Sequence, residues 1–162
     1  MRILFVCLGN ICRSPTAEGV LRRIAAEEAP ELRLTIDSAG TADYHVGAPP
    51  DRRSRAHATR RGYSIDSLRA RQVSIADFRS FDLILAMDRD NLRDLQALAP
   101  RDATARVCLF MDFAPGGEGH PVPDPYYGEA ADFDKVIDLT EAAARGLLAS
   151  LRGRGRLVLR DG

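Results

Sequence analysis

The chain has 162 residues, 45% hydrophobic and 28% charged, which suits one compact globular domain rather than a disordered or fibrous chain. Its 23 basic and 23 acidic residues cancel, which argues against non-specific nucleic-acid binding, since that needs a basic excess. Three cysteines are too few for a secreted disulfide framework, no apolar run approaches the roughly 20 residues of a membrane span, and MRILFVCLGN lacks a full signal-peptide core. A cytoplasmic location with reduced thiols is therefore expected, with export by a non-classical route left open.

Ile3 to Val6 is a continuous apolar run and predicts a strand buried on both faces. Cys7 to Ser14 contains Gly9 and Asn10 and predicts a loop, after which Pro15 opens a helix with Ser14 as its N-cap. Val20, Leu21, Ile24 and Ala25 give that helix an apolar stripe, and Pro30 ends it. Leu32 to Ile36 alternates and predicts a second strand. Gly40 to Pro50 is a Gly/Pro-rich loop, and Asp51 to Arg61 is a helix stopped by Gly62. A short helix near Ile75 to Phe81 leads into a buried strand, Leu83 to Met87. Asp88 caps a helix from Asn91 to Leu98, Pro100 follows it, and Val107 to Phe110 is a fourth strand. Ala114 to Tyr127 holds four prolines and three glycines and must be a loop. Asp132 to Leu151 is a long helix with Val136, Leu139, Ala143, Leu147 and Leu151 on its stripe. Alternating strands and helices predict a single α/β domain, 1–162, with a four-stranded parallel sheet and helices on both faces. Lys135 is the only lysine; the Arg excess reads as codon bias, with most of those side chains solvated on helix faces.

Ligands of such sheets bind beyond the carboxyl ends of the strands, which is where Cys7 falls. The segment from there is Cys7-Leu8-Gly9-Asn10-Ile11-Cys12-Arg13-Ser14-Pro15. A loop this short must curl, so its N–H groups can converge on one point as an anion nest. The following helix turns its free N–H groups and positive dipole end to the same point. Gly9 lets the backbone approach closely, and Arg13 can offer two phosphate oxygens a bidentate guanidinium. The same positive field favours the thiolate of Cys7, a nucleophile aimed at phosphorus. Ser14 can donate its hydroxyl to that sulfur or help it leave. Zinc does not fit, because Cys7 and Cys12 have no matching pair and His45, His57 and His120 are scattered. The dinucleotide and Walker-type phosphate fingerprints are absent. Expelling an alkoxide or aryloxide needs a proton donor. Asp124, between Pro123 and Pro125, suits that role as well as it suits an ordinary turn.

The C-x5-R-S pattern at the extreme N-terminus, CLGNICRSP, is highly specific and resembles the low-molecular-weight protein tyrosine phosphatase family. The likeness continues through Ser38-Ala39-Gly40-Thr41, Gly47 with Pro49-Pro50-Asp51, Ala70-Arg71-Gln72-Val73, Met87-Asp88 with Asn91-Leu92-Arg93-Asp94-Leu95, and Asp124-Pro125-Tyr126-Tyr127-Gly128, and so covers essentially the whole chain. It implies a flavodoxin-like fold and hydrolysis of phosphotyrosine and small aryl phosphates through a phosphocysteine on Cys7. Arg13 and the loop residues Leu8, Gly9, Asn10, Ile11, Cys12 and Ser14 then form the phosphate cradle. The DPYY segment makes Asp124 the general acid and then base. Tyr44, Tyr126 and Tyr127 line a slot for the substrate ring, as aromatic walls would. No metal or other cofactor is implied. The implied partners are a phosphotyrosine-containing protein or peptide and a cognate tyrosine kinase, with no nucleic acid and no membrane, and the chain a monomer or weak dimer.

Some positions depart from the family. A His often precedes its Ala-Arg pair and bonds the loop Asn; Leu68 stands here, so Asn10 needs other partners, and His57 reads as a surface helix residue. Some members carry Trp where Tyr44 stands. The protein-arginine-phosphatase branch has Thr at the Ile11 position, so Ile11 favours phosphotyrosine. Cys12 either forms a reversible disulfide that shields Cys7 or is a packed loop thiol. Cys108, in a strand run, reads as core. An arsenate reductase on the same loop would need further redox cysteines, and an inactive phosphotyrosine-binding module would not keep every catalytic position filled. The basic stretch Arg52 to Arg71 and the acidic stretch Asp124 to Glu141 read as solvated helix faces, with a docking or self-association face as the alternative.

Overall fold

In the computed structural model, which describes residues 1–154, the N-terminal apolar run forms β1 (Arg2–Cys7), with Ile3 to Val6 at 0% exposure. Its side chains alternate between two layers: Ile3 and Phe5 join one apolar cluster, Leu4 and Val6 the other. A strand buried on both faces belongs inside a sheet. β1 accordingly lies between β2 (Thr35–Gly40) and β3 (Leu83–Ala86), with β4 (Arg106–Leu109) outside β3, all parallel in the order β2-β1-β3-β4. Strand order reverses at β1, so the crevice beyond its carboxyl end is the place where such a sheet binds ligands.

Helices α1 (Arg13–Glu28) and α5 (Ala130–Ala149) cover one face, packing Val20, Leu21, Ile24, Val136, Ala143 and Leu147 on Phe5 and Leu85. Helices α3 (Asp77–Ser80) and α4 (Arg89–Leu98) cover the other, with Phe78 and Leu95 against Leu4, Val6 and Ile84. Helix α2 (Arg52–Arg60) lies beside α5. Its N-cap Asp51 accepts from the Arg53 N–H at 2.8 Å, and Asp88 caps α4 through the Asn91 N–H at 2.8 Å.

Four local expectations are corrected. The second strand runs Thr35–Gly40, not Leu32 to Ile36: Leu32 and Leu34 only border the core, and the polar-looking Asp37 and Ser38 enter the strand because Arg71 and Glu18 bond them. Helix α1 starts at Arg13 rather than Pro15, with Cys12 at the N-cap position and no side-chain cap, because the Ser14 hydroxyl is committed elsewhere. β4 ends at Leu109, and Phe110–Phe113 forms a 3₁₀ turn. As an edge strand β4 leaves Cys108 only partly buried, packed at the border of the core. Helix α5 stops at Ala149, and Ser150–Arg154 forms a π-type turn that holds Leu151.

The charged stretches meet in part along α2 and α5, while Arg52, Arg60 and Asp132 stay exposed, as solvated faces would have them. Arg61 reaches Asp138 at 2.7 Å and also bonds Glu141. His57 is buried at 5% exposure rather than on the surface. It stacks on Phe133 with centroids 5.6 Å apart, and its Nδ1 lies 2.6 Å from Asp134 Oδ1. The residue sits on the face of α2 that meets α5, a placement that no pattern in the basic run signals.

Candidate active site

β1 ends at Cys7, and the next five residues curl back so that the Asn10 N–H donates to Cys7 Sγ at 3.3 Å. The curl requires a left-handed backbone at Asn10, φ 57°, one of the few side chains that tolerates it. Ser14 Oγ, in the first turn of α1, lies 3.0 Å from Cys7 Sγ. The hydrogen-bond polarity of this contact follows from its neighbours. Asn10 Nδ2 donates to Ser14 Oγ at 2.8 Å and to Ser38 Oγ at 3.0 Å, and Ser38 donates onward to Glu18 Oε1 at 2.7 Å. The Ser14 proton then has two acceptors, Cys7 Sγ at 3.0 Å and the Ala39 carbonyl at 3.4 Å, and the sulfur is the nearer. Asn10 Oδ1 accepts from the Arg71 N–H at 3.0 Å. Ser14, Ser38 and the Arg71 backbone thus hold Asn10 where Leu68 cannot. Burial pushes the Glu18 carboxyl above its ordinary range, against the pull of Ser38 and Arg22.

Arg13 is 3% exposed, and its guanidinium is fixed from behind. Nη1 donates to Asp88 Oδ2 at 2.6 Å and to the Val122 carbonyl at 3.0 Å. Burial works against its charge, but Cys7, Asp88 and Asp124 together hold it above the ordinary Arg value. Asp88 thus has two tasks, since its other oxygen caps α4. Its cap role is visible in the sequence; its hold on Arg13, 75 positions away, is not.

Asp124 comes from the long proline-rich loop, as its sequence demands. Its Oδ1 accepts the Tyr126 N–H at 3.1 Å, and Oδ2 lies 3.7 Å from Arg13 Nη2. Nearly half exposed, the carboxyl stands at the edge of a cleft of about 360 Å³ lined by Cys7, Leu8, Gly9, Ile11, Cys12, Arg13, Tyr44, His45, Asp124, Tyr126 and Tyr127. Every expected slot tyrosine is in this lining. Tyr126 and Tyr127 meet edge to face at 4.9 Å, and Tyr127 is 96% exposed at the mouth.

His45 lines the cleft too, and nothing in the sequence assigned it there. Its ring covers Gly9 so closely that a Cβ on Gly9 would lie 2.9 Å from His45 Cδ2. Its place beside Tyr44 was the only available signal. Cys12 is 5% exposed, and burial pushes its thiol up to about 12, with a hydrogen bond to Ser54 pulling the other way. Asn10 and Ser14 lie behind the cleft, on the inner side of the loop, and hold its shape. The arrangement can receive a tetrahedral anion against Arg13, with a sulfur below it and a carboxyl at the rim.

The family model described as low molecular weight phosphotyrosine protein phosphatase matches residues 2–156. A Synechocystis chain named for a low molecular weight protein-tyrosine-phosphatase is 47% identical over 152 residues, 93% of this chain and 96% of its own. The low molecular weight phosphotyrosine protein phosphatase of Schizosaccharomyces pombe is 45% identical over 143 residues, 87% of this chain and 91% of its own. Among solved structures, a protein tyrosine phosphatase from Entamoeba histolytica with Hepes in its active site superposes with a TM-score of 0.89 at 41% identity, covering 96% of this chain and 99% of that one.

Proposed function

Because the chain belongs to the low molecular weight phosphotyrosine protein phosphatase family and is thereby a phosphate-ester hydrolase, we propose that it cleaves phosphotyrosine through a phosphocysteine on Cys7, with Asp124 as general acid and then base. The observation that carries this reading is the meeting of Cys7, the fixed Arg13 guanidinium and Asp124 in one cleft. Cys7 attacks phosphorus in line, and the P–O bond to the leaving group breaks as Asp124 gives that oxygen its proton. Arg13 and the loop N–H groups hold the equatorial oxygens through the transition state. Ionised Asp124 then takes a proton from water, whose oxygen attacks phosphorus and releases Cys7, with the Ser14 hydroxyl stabilising the departing thiolate.

Family membership implies phosphoprotein substrates. The aromatic lining by Tyr44, Tyr126 and Tyr127 supports phosphotyrosine among them, as does Ile11 at the cleft wall. We take 1–162 as one such domain acting as a monomer or weak dimer in the cytoplasm, where a tyrosine kinase would supply its substrates. Among the described residues no helix is long and apolar enough to cross a membrane. The reductase reading is disfavoured because Cys108, the remaining thiol, lines a different pocket and is pushed up by burial to about 11.

The test is steady-state hydrolysis of an aryl phosphate at mildly acidic pH with a chelator present. Turnover is expected for the wild-type chain and none above background for Cys7→Ser. Near-normal turnover by Cys7→Ser would end the phosphocysteine mechanism.

A further inference from the structure

The general acid must sit at a fixed height above the phosphate loop, yet the two come from segments more than a hundred residues apart. Among the described residues Asp124 accepts its hydrogen bond at the rim, from the Tyr126 N–H, and from within the cleft it faces only the longer ion pair to Arg13 at 3.7 Å. Tyr126 is held in turn by Arg53, whose Nη2 donates to the Tyr126 carbonyl at 2.9 Å and whose guanidinium lies 5.5 Å from the centre of the Tyr126 ring. Arg53 has three further anchors. Its Nε and Nη2 form a fork on the Asp51 carboxylate at 3.1 Å each, and its guanidinium lies 4.6 Å from the centre of the Phe133 ring in α5. The linkage closes on the phosphate loop, because the Asp51 N–H donates to the Ile11 carbonyl at 2.7 Å.

Resting on the functional reading above, we propose that Arg53 is a positioning residue that sets Asp124 at the height of the leaving-group oxygen. The path from cradle to acid runs Ile11, Asp51, Arg53, Tyr126, Asp124, with each of its four steps made by hydrogen bonds and the second a planar fork. A guanidinium suits this place better than an ammonium, because it can hold a carboxylate, a carbonyl and two ring faces at once. Arg53 is not among the residues that line the cleft; it acts through Tyr126. Its removal should therefore be felt only where the acid is needed. A misplacement on the order of 1 Å is enough to weaken a proton transfer severely.

The experiment compares kcat/KM for phenyl phosphate, whose leaving group needs a proton, with that for p-nitrophenyl phosphate, whose leaving group needs it less. Arg53→Ala is expected to lower the first about tenfold more than the second, part of the roughly 10²–10⁴-fold a general acid supplies. Competitive inhibition by inorganic phosphate should stay unchanged, because the cradle is intact. In an Asp124→Asn background Arg53→Ala should add no further discrimination between the two esters. Arg53→Lys keeps a cation but loses the fork, and should fall between wild type and Arg53→Ala. Equal loss on both esters, weaker phosphate inhibition in step with lost turnover, or added discrimination in the Asp124→Asn background would each overturn the inference. Wild-type turnover separates the two claims: without it the functional reading falls and takes this one with it, and with turnover but equal losses only the role of Arg53 falls.

Discussion

Asn10 shows how one side chain decides the shape of a catalytic loop. Its positive φ turns the chain, its N–H meets the sulfur, and its amide ties the loop to β2 and to the Arg71 segment. Cys12, two residues on, has the opposite character. It lines the same cleft beside Ser54, Asp51 and Cys7, but with its thiol pushed up to about 12 by burial it keeps its proton at neutral pH. Because Cys12 keeps its proton, iodoacetamide at pH 7 should modify Cys7, the proposed nucleophile, and leave Cys12 intact, as read by peptide mass mapping. Equal labelling of both would show that Cys12 does not keep its proton. The same contrast bears on the proposed protective disulfide. It would have to begin with oxidation of Cys7, since a protonated thiol is a poor nucleophile.

At the level of elements, the close approach of α5 to the 3₁₀ turn depends on one glycine. A Cβ at Gly146 would lie 1.8 Å from the Phe113 carbonyl oxygen. On an open helix, glycine to alanine gains up to about 1 kcal/mol from propensity. Here the inserted methyl meets backbone that has little room to move, and overpacking costs about 1–3 kcal/mol. The clash should win, so Gly146→Ala is expected to lower Tm by several degrees while kcat/KM at 25 °C is kept. A raised Tm would show that the turn yields. The pairing of α2 with α5 follows the same logic of contact. Two runs of opposite charge, each readable as a solvated face, neutralise one another through Arg61 and its two carboxylates. Exposed pairs of this kind add little stability, about 0–1 kcal/mol, but they lie on the side where α2, capped by Asp51 and carrying Arg53 in its first turn, meets α5.

Across the whole molecule, burial of weak acids predicts an alkaline limit to stability. Cys12 and Tyr63 are pushed up by burial to about 12 and Cys108 to about 11, from ordinary values of 9.0 for the thiols and 10.0 for the phenol. Above pH 9 the unfolded chain releases protons that the folded chain keeps, so the folded state binds more protons and stability falls as pH rises. The loss begins near pH 9 and continues towards 12, at on the order of 1 kcal/mol per pH unit for each group within its window. Thermal melts of the reduced chain should show Tm declining from pH 9 to 11. Cys108→Ala should flatten part of that decline, and an unchanged slope in this variant would mean that the thiol does not contribute.

Alternation of apolar runs with helical stripes was enough to determine a parallel α/β sheet, because buried strands and amphipathic helices are written in short-range periodicity. The phosphate loop was equally legible: Cys7 to Ser14 carries nucleophile, turn and cation within eight consecutive positions, so local sequence holds nearly all of its chemistry. Asp124 was legible only with its prolines and tyrosines around it. The hold of Asp88 on Arg13, the anchoring of Asn10 by Ser38 and Arg71, the burial of His57, His45 over Gly9, and the path through Arg53 to Tyr126 were decided by the tertiary structure alone. Each joins residues 28 to 77 positions apart that the sheet order brings together, and a contact of that range leaves no periodicity, spacing or cap by which a linear chain could announce it.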